Sequence, residues 1–140
     1  MRQKPVLSHD DVLAIAAAAR AEAQRNGWAV TLAIVDDGGY PLHLERLDGA
    51  RASTVEVAIG KARTSAMLHA PSAGIAARVK DNPGLLALGM MPMQGGLPLM
   101  CGPHCVGGIG VSGVQSQQDE QASAAGVAAL EKIWNGSQPA

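Results

Sequence analysis

The run from Gly107 to Gly113, GGIGVSG, restricts the fold of this chain more than any other stretch. In an extended strand successive side chains point to opposite faces, so Gly108, Gly110 and Ser112 share one face while Ile109 and Val111 share the other. A face with almost no side chains lets a helix, another subunit or a ligand come up to the backbone. The run is the returning half of a hairpin: Leu97 to Cys101 reads as one strand, Gly102-Pro103-His104 as the turn, and Cys105 to Val114 as the second strand. An earlier hairpin has the same construction. Trp28 to Val35 sets Val30, Leu32 and Ile34 against Ala29, Thr31 and Ala33, so it is apolar on both sides and is expected to be covered on both. Asp36-Asp37-Gly38-Gly39 turns the chain, and Tyr40 to Arg46 returns. Both connections are far shorter than a parallel crossover needs, which predicts an antiparallel sheet.

Helical segments surround the hairpins. Ser8 with Asp11 forms a capping pair before the stripe Val12, Ile15, Ala16, Ala19 and Ala23, predicting a helix over 9–26 that Gly27 stops. Ser53 with Glu56 is a second capping pair, for a helix running to about His69 with Val55, Ala58, Ile59, Ala62 and Ala66 inward. Pro71-Ser72 restarts a shorter helix that Asn82-Pro83-Gly84 ends, and Leu85 to Met93 is apolar without a clean period and reads as irregular. Ser116 with Asp119 marks the start of a last helix carrying Ala122, Val127, Leu130, Ile133 and Trp134, with Asn135-Gly136 as its end. The order is helix, hairpin, helices, hairpin, helix, an α/β (α+β) arrangement with helices packed over one sheet. Residues 1–140 make a single domain.

Net charge is -1, with 11 basic and 12 acidic side chains, and the basic ones are scattered, so nucleic acid and anionic membrane surfaces are not expected partners. There is no Phe, one Tyr and two Trp, which leaves Ala, Val, Leu, Ile and Met to build the core. No apolar run reaches membrane-spanning length, and MRQKPVLSHDD lacks the apolar region of a signal peptide. The expected location is therefore cytoplasmic.

The candidate site residues fall into three sets. Lys61 and Thr64, three apart on one helix, would project together as a cation and a hydroxyl toward one ligand. Arg46 shares a face with Leu42 and Leu44, where its stem can lie on apolar surface while the guanidinium reaches a cleft. Asp119 and Glu120 are explained by capping and the helix dipole, or form a polar site with Lys61 or Arg46. Cys101, His104 and Cys105 are candidate metal ligands, with His69 or His43 as a fourth, although this is not a standard zinc spacing. A disulfide across the turn and a plain turn with two reduced thiols are the other readings. Gly108 to Gly113 also matches G-x-G-x-x-G, but the chain after it offers one helix and no second parallel strand, so a dinucleotide fold is not expected.

Taken together, VDDGG (35–39), RLDGA (46–50), GKARTSA (60–66), GGLPL (95–99), GGIGVSG (107–113) and QDEQASAAGVAAL (118–130) resemble the GlcG/HbpS family, also called DUF336. That family includes haem-binding proteins and the corrinoid-related C-terminal domains of some adenosyltransferases (PduO C-terminal-like). The resemblance implies a profilin-like sandwich, a five-stranded antiparallel sheet with helices on both faces, assembled into homodimers and homo-octamers. It also implies a small-molecule or cofactor-binding module for haem or a related small cofactor, with His43, His69, His104 or Cys105 as candidate iron ligands, Arg46 or Lys61 against carboxylates, and Thr64, Gly95 and Gly96 near the ligand. CGPHC (101–105) stands where the family generally has an Asp-Gly turn, so a site at this end differs from that of relatives. The rival readings are an isomerase- or lyase-like enzyme on a small oxygenated metabolite, using Lys61, Arg46 and Asp119 or Glu120, and a structural subunit without ligand.

Overall fold

The computed structural model describes residues 1–139. Its sheet has strands β1 (Thr31–Asp36), β2 (Pro41–Arg46), β3 (Gly96–Cys101) and β4 (His104–Ser112) in the order β2-β1-β4-β3, every neighbouring pair antiparallel. Four strands stand where five were expected. The two hairpins supply all of them, and the chain between 82 and 95, which has no strand alternation, forms a 3-10 turn (Pro83–Leu88) and a loop instead.

Helix α2 (Thr54–Leu68) lies on one face of the sheet, while α1 (His9–Arg25) and α4 (Ser116–Ser137) lie on the other. The two layers are built differently. Against α1 and α4, Leu32, Ile34, Leu99, Ile109 and Val111 interlock with Val12, Ile15, Ala16, Ala19, Ala122 and Leu130, all buried. A fully buried side chain of the Leu or Ile class is worth about 1.5–3 kcal/mol, so this layer holds most of the apolar stabilisation. Against α2 the contacts are Ala33, Val35, Ala58, Ala62 and Ala66, with Gly108 and Gly110 beneath them. A Cβ on Gly110 would fall inside contact distance of the Ala58 carbonyl oxygen and 2.6 Å from the Ala62 nitrogen. The helix that the glycine face admits is therefore α2.

Ser8 and Asp11 form the expected reciprocal capping box on α1. The other two caps differ from the sequence reading. Ser53 has helical torsions (φ −60, ψ −24) and makes no side-chain cap bond, because a capping side chain needs the extended backbone that Ser8 has. At α4 the box is made by Gln115 and Gln118, and Asp119 is turned inward. Trp28 to Val30 precede β1 rather than extending it, and α4 runs through Asn135 and Gly136. A short helix α3 (Ile75–Asp81) follows a 3-10 turn at Ser72–Gly74.

The sheet has two distinct ends. One gathers the β1–β2 and β3–β4 turns with the C-terminus of α2; the other gathers the N-termini of α2 and α4 with Arg46 and Ser112. Along β4 the nine residues from His104 to Ser112 separate these ends by roughly 27 Å at a strand rise of about 3.4 Å per residue.

Candidate functional site

Because α2 sits so close to β4, a long side chain on its inner face has to run sideways between helix and sheet. Lys61 does this and is 1% exposed. Its Nζ donates to the Val111 carbonyl at 3.0 Å and to Asp119 Oδ2 at 3.0 Å. The other Asp119 oxygen, Oδ1, accepts from the Val114 amide at 3.1 Å. Burial pushes the Asp119 carboxyl up from its ordinary value, against the downward pull of the Lys61 hydrogen bond. The pair thus ties α2, the end of β4 and the first turn of α4 together.

Gly95 and Gly96 leave room for this lysine. A Cβ on Gly95, whose φ is +135, would lie 2.7 Å from Lys61 Nζ, and one on Gly96 would press on the Lys61 carbonyl. Thr64 does not join Lys61: its hydroxyl donates to the Gly60 carbonyl at 2.8 Å and accepts from the Met91 amide at 2.7 Å. Glu120 is half-buried, with Oε2 buried and without a partner among the described residues. Arg46 is exposed at the end of β2, in register with Thr31. Of the acid/base set, the structure joins Lys61 and Asp119 and leaves Arg46 outside.

At the other end, His104 is exposed at the β3–β4 turn. Cys101 packs into the α1–α4 layer, whereas Cys105 Sγ lies on the α2 side, 3.3 Å from the Gly107 carbonyl and 3.7 Å from that of Ala66. The two cysteines are free and occupy opposite faces of the sheet, which rules out a bond between them in this arrangement. Burial pushes both thiols up. Among the described residues, no three His, Cys, Asp or Glu side chains are grouped to hold a metal ion. His69 is exposed and caps α2 with a left-handed φ of 53. Nearby Asp37 is paired with Lys4, whose hydrogen bond holds the carboxyl below its usual range, and His69 adds a smaller pull in the same direction. His43 faces α1 instead, with Nε2 3.5 Å from Glu45 Oε2, and Glu45 also binds Arg20. The N-terminal arm crosses this end of the sheet, where Met1, Arg2, Gln3, Lys4 and His104 line a cleft of about 820 Å³.

The profile of the family described as "Haem degrading protein HbpS-like" matches residues 7–128. The chain belongs to this HbpS-like family. GlcG of Escherichia coli K12 is 36% identical over 116 residues, covering 80% of this chain and 85% of GlcG. The crystal structure of an HbpS double mutant from Streptomyces reticuli matches with a TM-score of 0.86 at 34% identity, over 93% of this chain and 90% of that one. A PduOC:haem complex matches with a TM-score of 0.82 at 25% identity, over 89% of this chain and 95% of that one.

In this HbpS-like chain three serines complete the frame around Gly95 and Gly96, and the sequence reading missed them. Ser72 Oγ donates to the Met93 carbonyl at 2.6 Å and accepts from the Gly96 amide at 2.8 Å. Ser123 Oγ donates to the Gly95 carbonyl at 2.7 Å, and Ser65 Oγ is buried beside Gly96 without a partner among the described residues. The available signal was position: Ser65 and Ser123 fall on the inward stripes of their helices, and a hydroxyl buried there normally meets a backbone group, as Ser123 does and Ser65 does not.

Proposed function

We propose that this chain is a small-molecule or cofactor-binding module that takes haem at its His104 end and works as a homo-oligomer. The observation that carries this reading is the cleft of about 820 Å³ lined by His104 and the N-terminal arm. Its residues suit the group. An accessible imidazole is an axial donor to haem iron, and Arg2 and Lys4 carry charge opposite to haem propionates. Lys4 is already paired with Asp37, while Arg2 makes no ion pair among the described residues. Arg46 and Lys61 cannot serve the same haem, being near the far end of the sheet and, for Lys61, buried. The PduOC:haem relative and the haem-degrading description of the family support the same reading.

Bound haem would supply a redox-active iron. The chain itself would supply the His104 imidazole as donor, the Arg2 guanidinium as propionate partner, and the arm as one wall of the cleft. Self-association is supported by the edge strand β2, where Leu42 and Leu44 are 42% and 43% exposed, with Tyr40 just before it 70% exposed. Two unpaired, buried cysteines accord with a reducing, cytoplasmic compartment, and no helix among the described residues is long and apolar enough to cross a membrane.

Titration with haemin, read in the Soret region, tests the binding. The expected result is saturation at one haem per chain or fewer, with affinity lowered at least about tenfold in His104→Ala, a loss equivalent to about 1.4 kcal/mol. Absorbance that never saturates, or that His104→Ala leaves unchanged, would rule this site out.

A further inference from the structure

We propose that His43 and Glu45 of two copies of this chain together hold a divalent transition-metal ion of the zinc class where their β2 strands meet edge to edge. The site rests on self-association through β2 and is independent of the haem reading at His104.

The observation that points to a ligand is a pair of orphaned atoms. His43 Nε2 and Glu45 Oε2 are both buried, both lack a hydrogen-bond partner among the described residues, and lie 3.5 Å apart. Alternate residues of a strand share a face, so β2 itself sets the two donors side by side. Buried polar atoms are normally paired, and two that face each other unpaired call for a bridging group. Their separation says which kind. Two ligand atoms held at about 2.1 Å from a tetrahedral zinc ion stand about 3.4 Å from each other. An imidazole nitrogen with a carboxylate oxygen suits zinc and its first-row neighbours. The remaining Glu45 oxygen, Oε1, accepts from Arg20 on α1, which orients the carboxylate as the outer partner of a metal ligand does.

One chain supplies two donors and stops there: among the described residues no third His, Cys, Asp or Glu joins them. Symmetry supplies the other two. The sheet order β2-β1-β4-β3 leaves one edge of β2 free. When two such edges pair antiparallel about a two-fold axis, the register decides what meets. Centred on Glu45, it would set like charges opposite each other, which is destabilising. Centred on His43, it would set the two carboxylates far apart. Centred on Leu44, it places His43 of each copy opposite Glu45 of the other, with Cβ atoms about 5 Å apart, and gathers two nitrogens and two oxygens on one face. The other face then brings the exposed Leu44 side chains together. Two carboxylates also match the charge of one divalent ion.

Sedimentation over a concentration series, in EDTA and with added zinc ions, tests the proposal. Zinc should tighten dimerisation at least about tenfold, equivalent to about 1.4 kcal/mol, and saturate at one ion per two chains. His43→Ala and Glu45→Gln should each abolish that gain while leaving the dissociation constant in EDTA within about threefold of the unmodified chain. Dimerisation that zinc leaves unchanged, or a zinc effect that survives either substitution, would overturn the metal site and leave self-association standing. A chain that stays monomeric with and without zinc would overturn both.

Discussion

Among the described residues, Lys61 and Asp119 are the two charged side chains that this fold buries almost completely, at 1% and 2% exposure. Removing one partner strands the other charge in the interior, so Lys61→Met and Asp119→Asn should each cost about 3–5 kcal/mol in urea unfolding. The double variant should be less destabilised than the sum of the two by about 2 kcal/mol or more. Simple additivity would mean that the two groups do not interact. The pH dependence has a definite sign. Burial holds the folded-state carboxyl of Asp119 above its unfolded value of about 3.9, so between these values the folded chain binds more protons and stability falls as pH rises. Asp119→Asn should remove that component from the pH profile of the unfolding midpoint.

The sequence offered Lys61 with Asp119 as one alternative to plain helix capping, because a helical lysine and an acidic pair at a helix start are visible in the string. It also marked Arg46 and Glu120, since neither spacing nor charge tells which pair the topology brings into contact. The cysteines behave similarly. Their closeness in sequence left a shared metal and a disulfide open beside a plain turn with two reduced thiols, and strand parity with the irregular register between Leu99 and Met100 sends their side chains to opposite faces. With burial raising both thiols, iodoacetamide should modify Cys101 and Cys105 at least about tenfold more slowly in the native protein than in urea. Fast labelling of the native protein would contradict their burial.

At the level of elements, the decisive contact is α2 on the glycine face of β4. Gly110→Ala drives a methyl into the backbone of α2 at Ala58 and Ala62, and backbone cannot move aside as a flexible side chain can. The expected loss is about 3 kcal/mol, the upper end for overpacking. Gly136→Ala, in α4 with nothing within 4 Å of the new methyl, should cost nothing and gain up to about 1 kcal/mol from helix propensity. Equal effects from the two substitutions, measured by thermal unfolding, would remove the packing argument. The glycine parity was legible in the sequence; the identity of what fills it was not, because helix, subunit and ligand all satisfy an empty face. Helix starts were read less well. Ser53 and Asp119 look like caps by residue type, and capping depends on a backbone torsion at Ser53 and a buried lysine at Asp119 that no local pattern encodes.

For the whole molecule, the antiparallel sheet with helices packed over it followed from two tight hairpins and the inward stripes, helices on both faces were what the family resemblance implied, and the expected fifth strand had no alternating segment to form it. Tertiary folding then sorts the predicted residues into two ends, leaving His104 and His69 apart from Arg46, Lys61 and Asp119. The exposed apolar side chains of β2 predict that native mass spectrometry will find a multiple of the 14.3 kDa chain, and that Leu42→Glu with Leu44→Glu will return it to one chain. A single 14.3 kDa species for the unmodified protein at micromolar concentration would contradict self-association through this strand. The central claim, that haem belongs to the His104 end, is tested most directly by adding ferric haem and following which amide signals its unpaired electrons broaden. The account predicts broadening at Arg2 to Lys4, Gly102 and His104, with Ser112 to Gln115 left sharp across roughly 27 Å of strand. Broadening centred on Arg46 and Ser112, or none at all, would contradict it.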